Sequence, residues 1–168
     1  FVYHAALGVG VPYGNSASLP FEKRYYSGGA NSVRGWSVRT LGPGTFRTED
    51  TRIDFNNQSG DIKLDLNMEY RVKIVSVLEG ALFLDAGNIW TIKEYETQPG
   101  GAFRFDSFYK QIAVAYGVGV RLNLSFFILR LDFGVKLHDP ALADEQRWRI
   151  KPKWKDDMAF HFAIGYPF

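Results

Sequence analysis

The chain has 168 residues, no cysteine and a formal charge of +2. The length allows one domain with a sizeable core, the missing cysteines exclude disulfide and thiolate-metal chemistry, and the near balance of charge gives no reason to expect a nucleic-acid partner. Aromatics reach 16% and glycines number 17, and no apolar run reaches the ~20 residues of a membrane helix.

The first segment, FVYHAALGVGVPYG, starts in mid-pattern without Met or a secretory leader, so a piece of a longer protein is expected. Tyr3, Leu7, Val9, Val11 and Tyr13 lie opposite His4, Ala6, Gly8 and Gly10, which predicts a strand. A long connection, 14–60, follows, and it contains RYYSGGANSVRGWSVRTLGPG. Its acidic, amide-rich end, TEDTRIDFNNQSGD (48–61), lacks the spacing of a calcium loop and reads as the limb descending to the next strand. In DIKLDLNMEYRVKI (61–74), Asp61, Lys63, Asp65, Asn67, Glu69, Arg71 and Lys73 alternate strictly with apolar residues. A helix would spread those charges around its circumference, whereas a strand puts them all on one face. In VLEGALFLDAGNIW (77–90), Glu79, Phe83 and Asp85 face one way and Leu78, Leu82 and Leu84 the other. QIAVAYGVGVRLNL (111–124) sets Val114, Tyr116, Val118 and Val120 against Ala113, Ala115, Gly117, Gly119 and Arg121. LRLDFGVKLH (129–138) sets Leu131, Phe133 and Val135 against Arg130, Asp132, Gly134, Lys136 and His138. RWRIKPKWK (147–155) is basic and aromatic, either a solvated loop or a contact for lipopolysaccharide phosphates. The last segment, MAFHFAIGYPF, carries an apolar stripe of Phe160, Phe162, Ile164, Tyr166 and Phe168 that reads as lipid-facing.

Alternation also occurs in soluble sandwiches, so further features must decide the class. The segments are ~10–14 residues long, against ~5–6 for soluble strands and ~9–11 for tilted membrane strands. Their polar faces are rich in Gly and Ala, which suits a crowded lumen. Connections 73–77 and 125–128 are tight turns, while 14–60, 91–109 and 139–156 are long, the asymmetry of an outer-membrane barrel. Tyr13, Trp90, Phe126, Phe127 and Phe168 at strand ends fit interfacial girdles. The expected fold is therefore all-β: residues 1–168 form one segment, six strands of an antiparallel transmembrane β-barrel with a long external loop (14–60). Six strands are fewer than the ~8 of the smallest single-chain barrels, so more strands, or another chain, would complete the wall. In that fold Glu69, Glu79 and Asp85 line the lumen. Arg34 sits ~20 residues into the loop, an arm that reaches up to ~66 Å and can fold back inside. A guanidinium there needs a carboxylate partner, and Gly28, Gly29 and Gly35 would let the backbone turn tightly.

GGANSVRGW, with Val33, Arg34, Gly35 and Trp36, resembles the VRG-aromatic loop motif of the outer-membrane protein assembly superfamily, the BamA, TamA and two-partner secretion barrels. LFLDAGNIW resembles its F-x-D-x-G strand motif, here Phe83, Asp85 and Gly87, and FHFAIGYPF resembles its aromatic-ending C-terminal strand. The resemblance spans nearly the whole chain and implies that it is the C-terminal six-strand portion of such a barrel, with a long inward-folded external loop. It implies that the loop tucks into the lumen and that Arg34 pairs with Asp85, Glu69 being a second candidate. A hairpin turn near residue 75 would put Asp85 opposite Asp65, ~13 Å along the sheet from Glu69, so Asp85 is favoured over a shared guanidinium. Without the motifs, Asp85 would be an ordinary lumen charge paired across the strand near Lys63. Trp36 would wedge the loop tip or be an ordinary loop aromatic.

The resemblance also implies a function: inserting and folding other β-barrel proteins in the bacterial outer membrane, by membrane thinning and templating at an unstable seam, with the last strand as a sorting signal. Gly165 and Pro167 would weaken pairing at that seam, or Pro167 merely ends the strand. Partners implied are outer-membrane lipid and lipopolysaccharide, nascent outer-membrane proteins and periplasmic accessory proteins. No enzymatic chemistry, cofactor or metal is expected, and His4, His138 and His161 read as separate lumen histidines. Alternatives are a two-partner-secretion-type polypeptide transporter, a passive porin or adhesion barrel, and a soluble lipocalin-like barrel with its charges outside.

Overall fold

The computed structural model describes residues 1–15, 18–48 and 58–168. Residues 49–57, most of the predicted descending limb, lie outside them. Six strands form one sheet: β1 (Val2–Val9), β2 (Ile62–Val75), β3 (Leu78–Trp90), β4 (Ala113–Asn123), β5 (Ile128–His138) and β6 (Met158–Ile164). Each pairs antiparallel with its chain neighbour in the order β1-β2-β3-β4-β5-β6. Among the described residues the sheet is open, with β1 and β6 at its edges. Short turns join β2 to β3 and β4 to β5 at one rim, and the long connections leave from the other.

The two faces are inverted relative to a water-soluble protein. Leu7 is 72% exposed, Phe160 65% and Ile164 68%, while Arg34, Glu69, Asp85, Arg121 and Asp132 are fully buried. Such an apolar outer face is stable only against lipid, so a soluble barrel with its charges outside is excluded. What buries the charges is the connection between β1 and β2, which lies over the polar face of the sheet. Its packing centre is Val33, Trp36 and Leu41 against Ala113 and Ala115 of β4. The floor beneath is deliberately small. A Cβ added to Gly134 of β5 would fall 2.0 Å from the Arg34 carbonyl oxygen, so only glycine lets the loop backbone lie directly on the strand.

Three details depart from the sequence expectation. The β2–β3 turn centres one residue later than residue 75, at residues 76–77, with an irregularity between Lys73 and Val75. Asp85 therefore faces Asn67, and Asp65 faces Gly87. A bulge beside Val114 pairs His138 with Val114, a residue of the apolar face, instead of leaving His138 in the polar row. Finally, β6 stops at Ile164. Gly165 has φ +90, a conformation side chains resist, and it turns the last residues out of the strand plane. Tyr166 and Phe168 thus leave the outer stripe of Phe160, Phe162 and Ile164. The Tyr166 hydroxyl donates to Glu79 Oε2 at 3.3 Å, and the Phe168 ring stacks on His4 of β1 at 5.3 Å.

Candidate functional site

The tip of the inward loop is built around Arg34. Gly28 and Gly29 adopt φ +89 and +94 and start the tight turn. Gly35 plays a different part: a Cβ there would meet the Ala115 methyl at 2.7 Å, so its smallness lets the tip seat on β4. Val33 and Trp36 fill the space on either side, and the Lys136 ammonium lies 5.2 Å from the Trp36 ring centre.

The guanidinium donates twice to Asp85, from Nε to Oδ2 at 2.7 Å and from Nη2 to Oδ1 at 2.9 Å. The backbone N–H of Arg34 adds a third bond to Asp85 Oδ2 at 3.1 Å. Nη1 donates to Glu69 Oε2 at 2.6 Å and lies 3.5 Å from Asp132 Oδ2. One guanidinium therefore serves both carboxylates, contrary to the separation expected from the sequence. The shifted register is the reason: with Asn67 opposite Asp85, Glu69 is one pleat repeat from it, ~7 Å along the strand. The Phe83 ring of the strand motif lies under the guanidinium, 3.6 Å from its central carbon, and adds a cation–π contact in a dry site. Gly87, the motif's third residue, sits where a Cβ would strike the Leu64 carbonyl oxygen at 2.3 Å and press on Val33 at 3.2 Å.

Sequence reading missed much of the surrounding shell. Arg121 donates to Asp132 Oδ1 at 2.5 Å and to Glu69 Oε1 at 3.0 Å, and Arg71 donates to the same Glu69 oxygen at 2.8 Å. Asn67 donates to Asp85 Oδ1 and to the Ser32 carbonyl, and Ser32 donates to Asp65. His161 of β6 meets the Arg34 carbonyl oxygen at 3.0 Å. Parity had put Arg121, Asp132 and His161 on the inward face, but no local motif marks them as neighbours of the loop. Their convergence is a property of the sheet.

The shell joins loop, β2, β3 and β5 through the Arg34 guanidinium, brings in β4 through the second buried cation, Arg121, and reaches β6 through the Arg34 carbonyl oxygen. Removing one partner from such a cluster leaves uncompensated buried charge, at ~3–5 kcal/mol. Through Glu69, Asp85 and Asp132 it pins the loop tip to the wall. Of the C-terminal residues, Phe160, Phe162 and Ile164 stay on the lipid-facing side, whereas Phe168 lies 5.9 Å from both the Arg34 and Arg71 guanidinium carbons.

Comparison with known proteins matches the whole chain, residues 1–168, to the Omp85 superfamily domain. The chain is also 30% identical over 98 residues to the outer membrane protein assembly factor BamA of Neisseria meningitidis serogroup B. That alignment takes in 57% of the chain and 12% of the relative's length.

Proposed function

The chain belongs to the Omp85 superfamily, an integral component of the bacterial outer membrane, and on that premise we propose that it is the loop-bearing part of an insertase that folds other β-barrel proteins into that membrane. Its clients are nascent outer-membrane proteins, its surroundings outer-membrane lipid and lipopolysaccharide, and its helpers periplasmic accessory proteins. No covalent step, metal or cofactor enters. The observation that carries this reading is the pinning of the loop through Arg34 to Glu69, Asp85 and Asp132. A passive wall has no need of a loop tip locked to three strands.

A barrel that works at its own edge must keep most of its wall rigid while one strand stays weakly held. Glu69, Asp85 and Asp132 supply the rigidity in β2, β3 and β5. The weakness lies in β6. It has 7 residues, against 14 in β2, and so rises only ~23 Å before tilt, below the ~25 Å apolar band it must cross. Lipid beside it has to thin, and its outward ladder is short enough for an incoming strand to compete with. Passage of a polypeptide through the lumen, the transporter alternative, would first have to expel the buried loop.

The test is a set of charge swaps in the full-length parent: Arg34→Glu, Asp85→Arg and the two combined. The readouts are assembly of other outer-membrane proteins and folding of the parent itself. Loss of client assembly with the parent still folded, at least partly repaired in the double variant, supports the insertase reading. Client assembly that is indifferent to all three variants rejects it.

A further inference from the structure

At the rim of the long connections, a crevice of about 560 Å³ opens between the 91–112 and 139–157 segments. Its lining includes Tyr109, Lys110, Ile112, Val114, His138 and Trp148. Ile112 and Val114 continue the apolar outer face of β4, so the floor is oily and opens toward lipid. The walls are ordered. His138 Nδ1 meets the Ile112 carbonyl oxygen at 2.7 Å, the His138 and Trp148 rings lie 4.8 Å apart, and the Arg149 N–H bonds the Leu137 carbonyl oxygen. β4 and β5 are interior strands, and both walls are their own connections, so no further strand is needed to complete the crevice.

The charge beside it is mainly positive, with Asp144 and Glu145 before the basic stretch and Asp156 and Asp157 after it. From Arg147 to Lys155 every second residue is cationic and none is acidic, and Trp148, Ile150 and Trp154 between them are 59%, 82% and 74% exposed. Arg149 is committed to Asp157 and Arg147 to Asp144, the one carboxylate in the lining. Lys110, Lys151, Lys153 and Lys155 have no ion-pair partner among the described residues.

We propose that this crevice binds the phosphorylated glycolipid of the outer leaflet: phosphates on Lys110 and on Lys151 and Lys153 of the adjoining stretch, sugar against Tyr109 and Trp148, acyl chain over Ile112 and Val114. Long connections mark the external rim of such a barrel, and a plain water-facing loop would not expose a Trp, an Ile and a Trp among its cations. Apolar and aromatic residues alternating with cations at the headgroup level match a ligand that is both oily and anionic. The proposal rests on the outer-membrane placement of the sheet, not on the insertase reading, so either can fail alone.

The experiment uses the full-length parent in detergent, with native mass spectrometry to count retained lipid. The probes are bisphosphorylated lipid A, its dephosphorylated form and phosphatidylglycerol. The parent is expected to retain bisphosphorylated lipid A in preference to both others. Lys110→Gln, Lys151→Gln and Lys153→Gln should each weaken that retention about 5-fold, and Trp148→Ala should weaken both forms of lipid A. Retention unchanged in the variants, or phosphatidylglycerol held as well as lipid A, overturns the proposal. A photoreactive phenylalanine analogue at position 150, in otherwise native protein in cells, gives a readout independent of variant folding. A glycolipid adduct at position 150, and none at position 126 on the opposite rim, is expected; an adduct to protein alone overturns the assignment.

Discussion

Arg34 holds its place by shape as much as by charge. Two parallel donors to Asp85, a third to Glu69 and a face on Phe83 use nearly everything a planar guanidinium offers. Arg34→Lys keeps the charge and loses the fork. Chemical denaturation of the refolded full-length barrel should show it less stable by about 3 kcal/mol or more; a loss under 1 kcal/mol would mean that the fork is not what holds the loop. Gly134→Ala tests the same contact from the floor. Alanine suits a β-strand, yet its methyl needs the space of the Arg34 carbonyl oxygen. The loop should lift, and trypsin should cut after Arg34 or Arg39 in folded Gly134→Ala protein but not in the parent. Equal resistance in both would show that the loop accommodates the methyl in place.

At the scale of elements, the end of β6 is governed by one torsion. Nothing lies within 4 Å of a Cβ added to Gly165, so Gly165→Ala acts only through its φ of +90. Straightening that residue would carry Phe168 away from His4. With no cysteine in these 168 residues to interfere, the disulfide yield of a His4→Cys/Phe168→Cys pair reports the distance directly. Adding Gly165→Ala should lower that yield several-fold, and an unchanged yield would show that the tail is held by its ring contacts alone. The 139–157 connection is tied down differently. Burial works to raise the Asp157 carboxyl, but the Arg149 fork and the Lys153 N–H outweigh it and hold the group below the ordinary carboxylate range. A carboxyl depressed in the folded state stabilises fully above its unfolded value and loses that contribution as pH falls through the folded one. Parent and Asp157→Asn proteins should therefore differ in stability at neutral pH and converge only under strongly acidic conditions. A difference that vanishes near pH 6 would contradict the assigned shift.

For the whole molecule, the sheet separates two solvents. Val118, near the middle of β4, is 52% exposed on the outer face, and an Arg there would meet hydrocarbon. Val118→Arg should cost ~2–4 kcal/mol in lipid vesicles, measured as the shift of the unfolding transition, while the same change at Tyr13 beyond the strand end should cost little. A similar small cost at both positions would argue against a bilayer at the height of Val118. The six strands, most of their inward and outward residues and the uneven connections were legible in the sequence, because the period of two is local and a bilayer demands it along every strand; the shortness of β1 and β6, at 8 and 7 residues, was not. So was the arginine, through the VRG-aromatic and F-x-D-x-G residues. Its full set of partners was not. Register belongs to a pair of strands, and one residue of difference in the β2–β3 turn moves every cross-strand neighbour by two, which brings Glu69 and Asp85 to the same guanidinium. The bulge at His138 and the turn at Gly165 likewise depend on how neighbouring strands pair and on a torsion that alternation cannot encode. Periodicity determined which residues face the lumen; the tertiary structure decided which of them meet, because contact across a sheet depends on register and curvature.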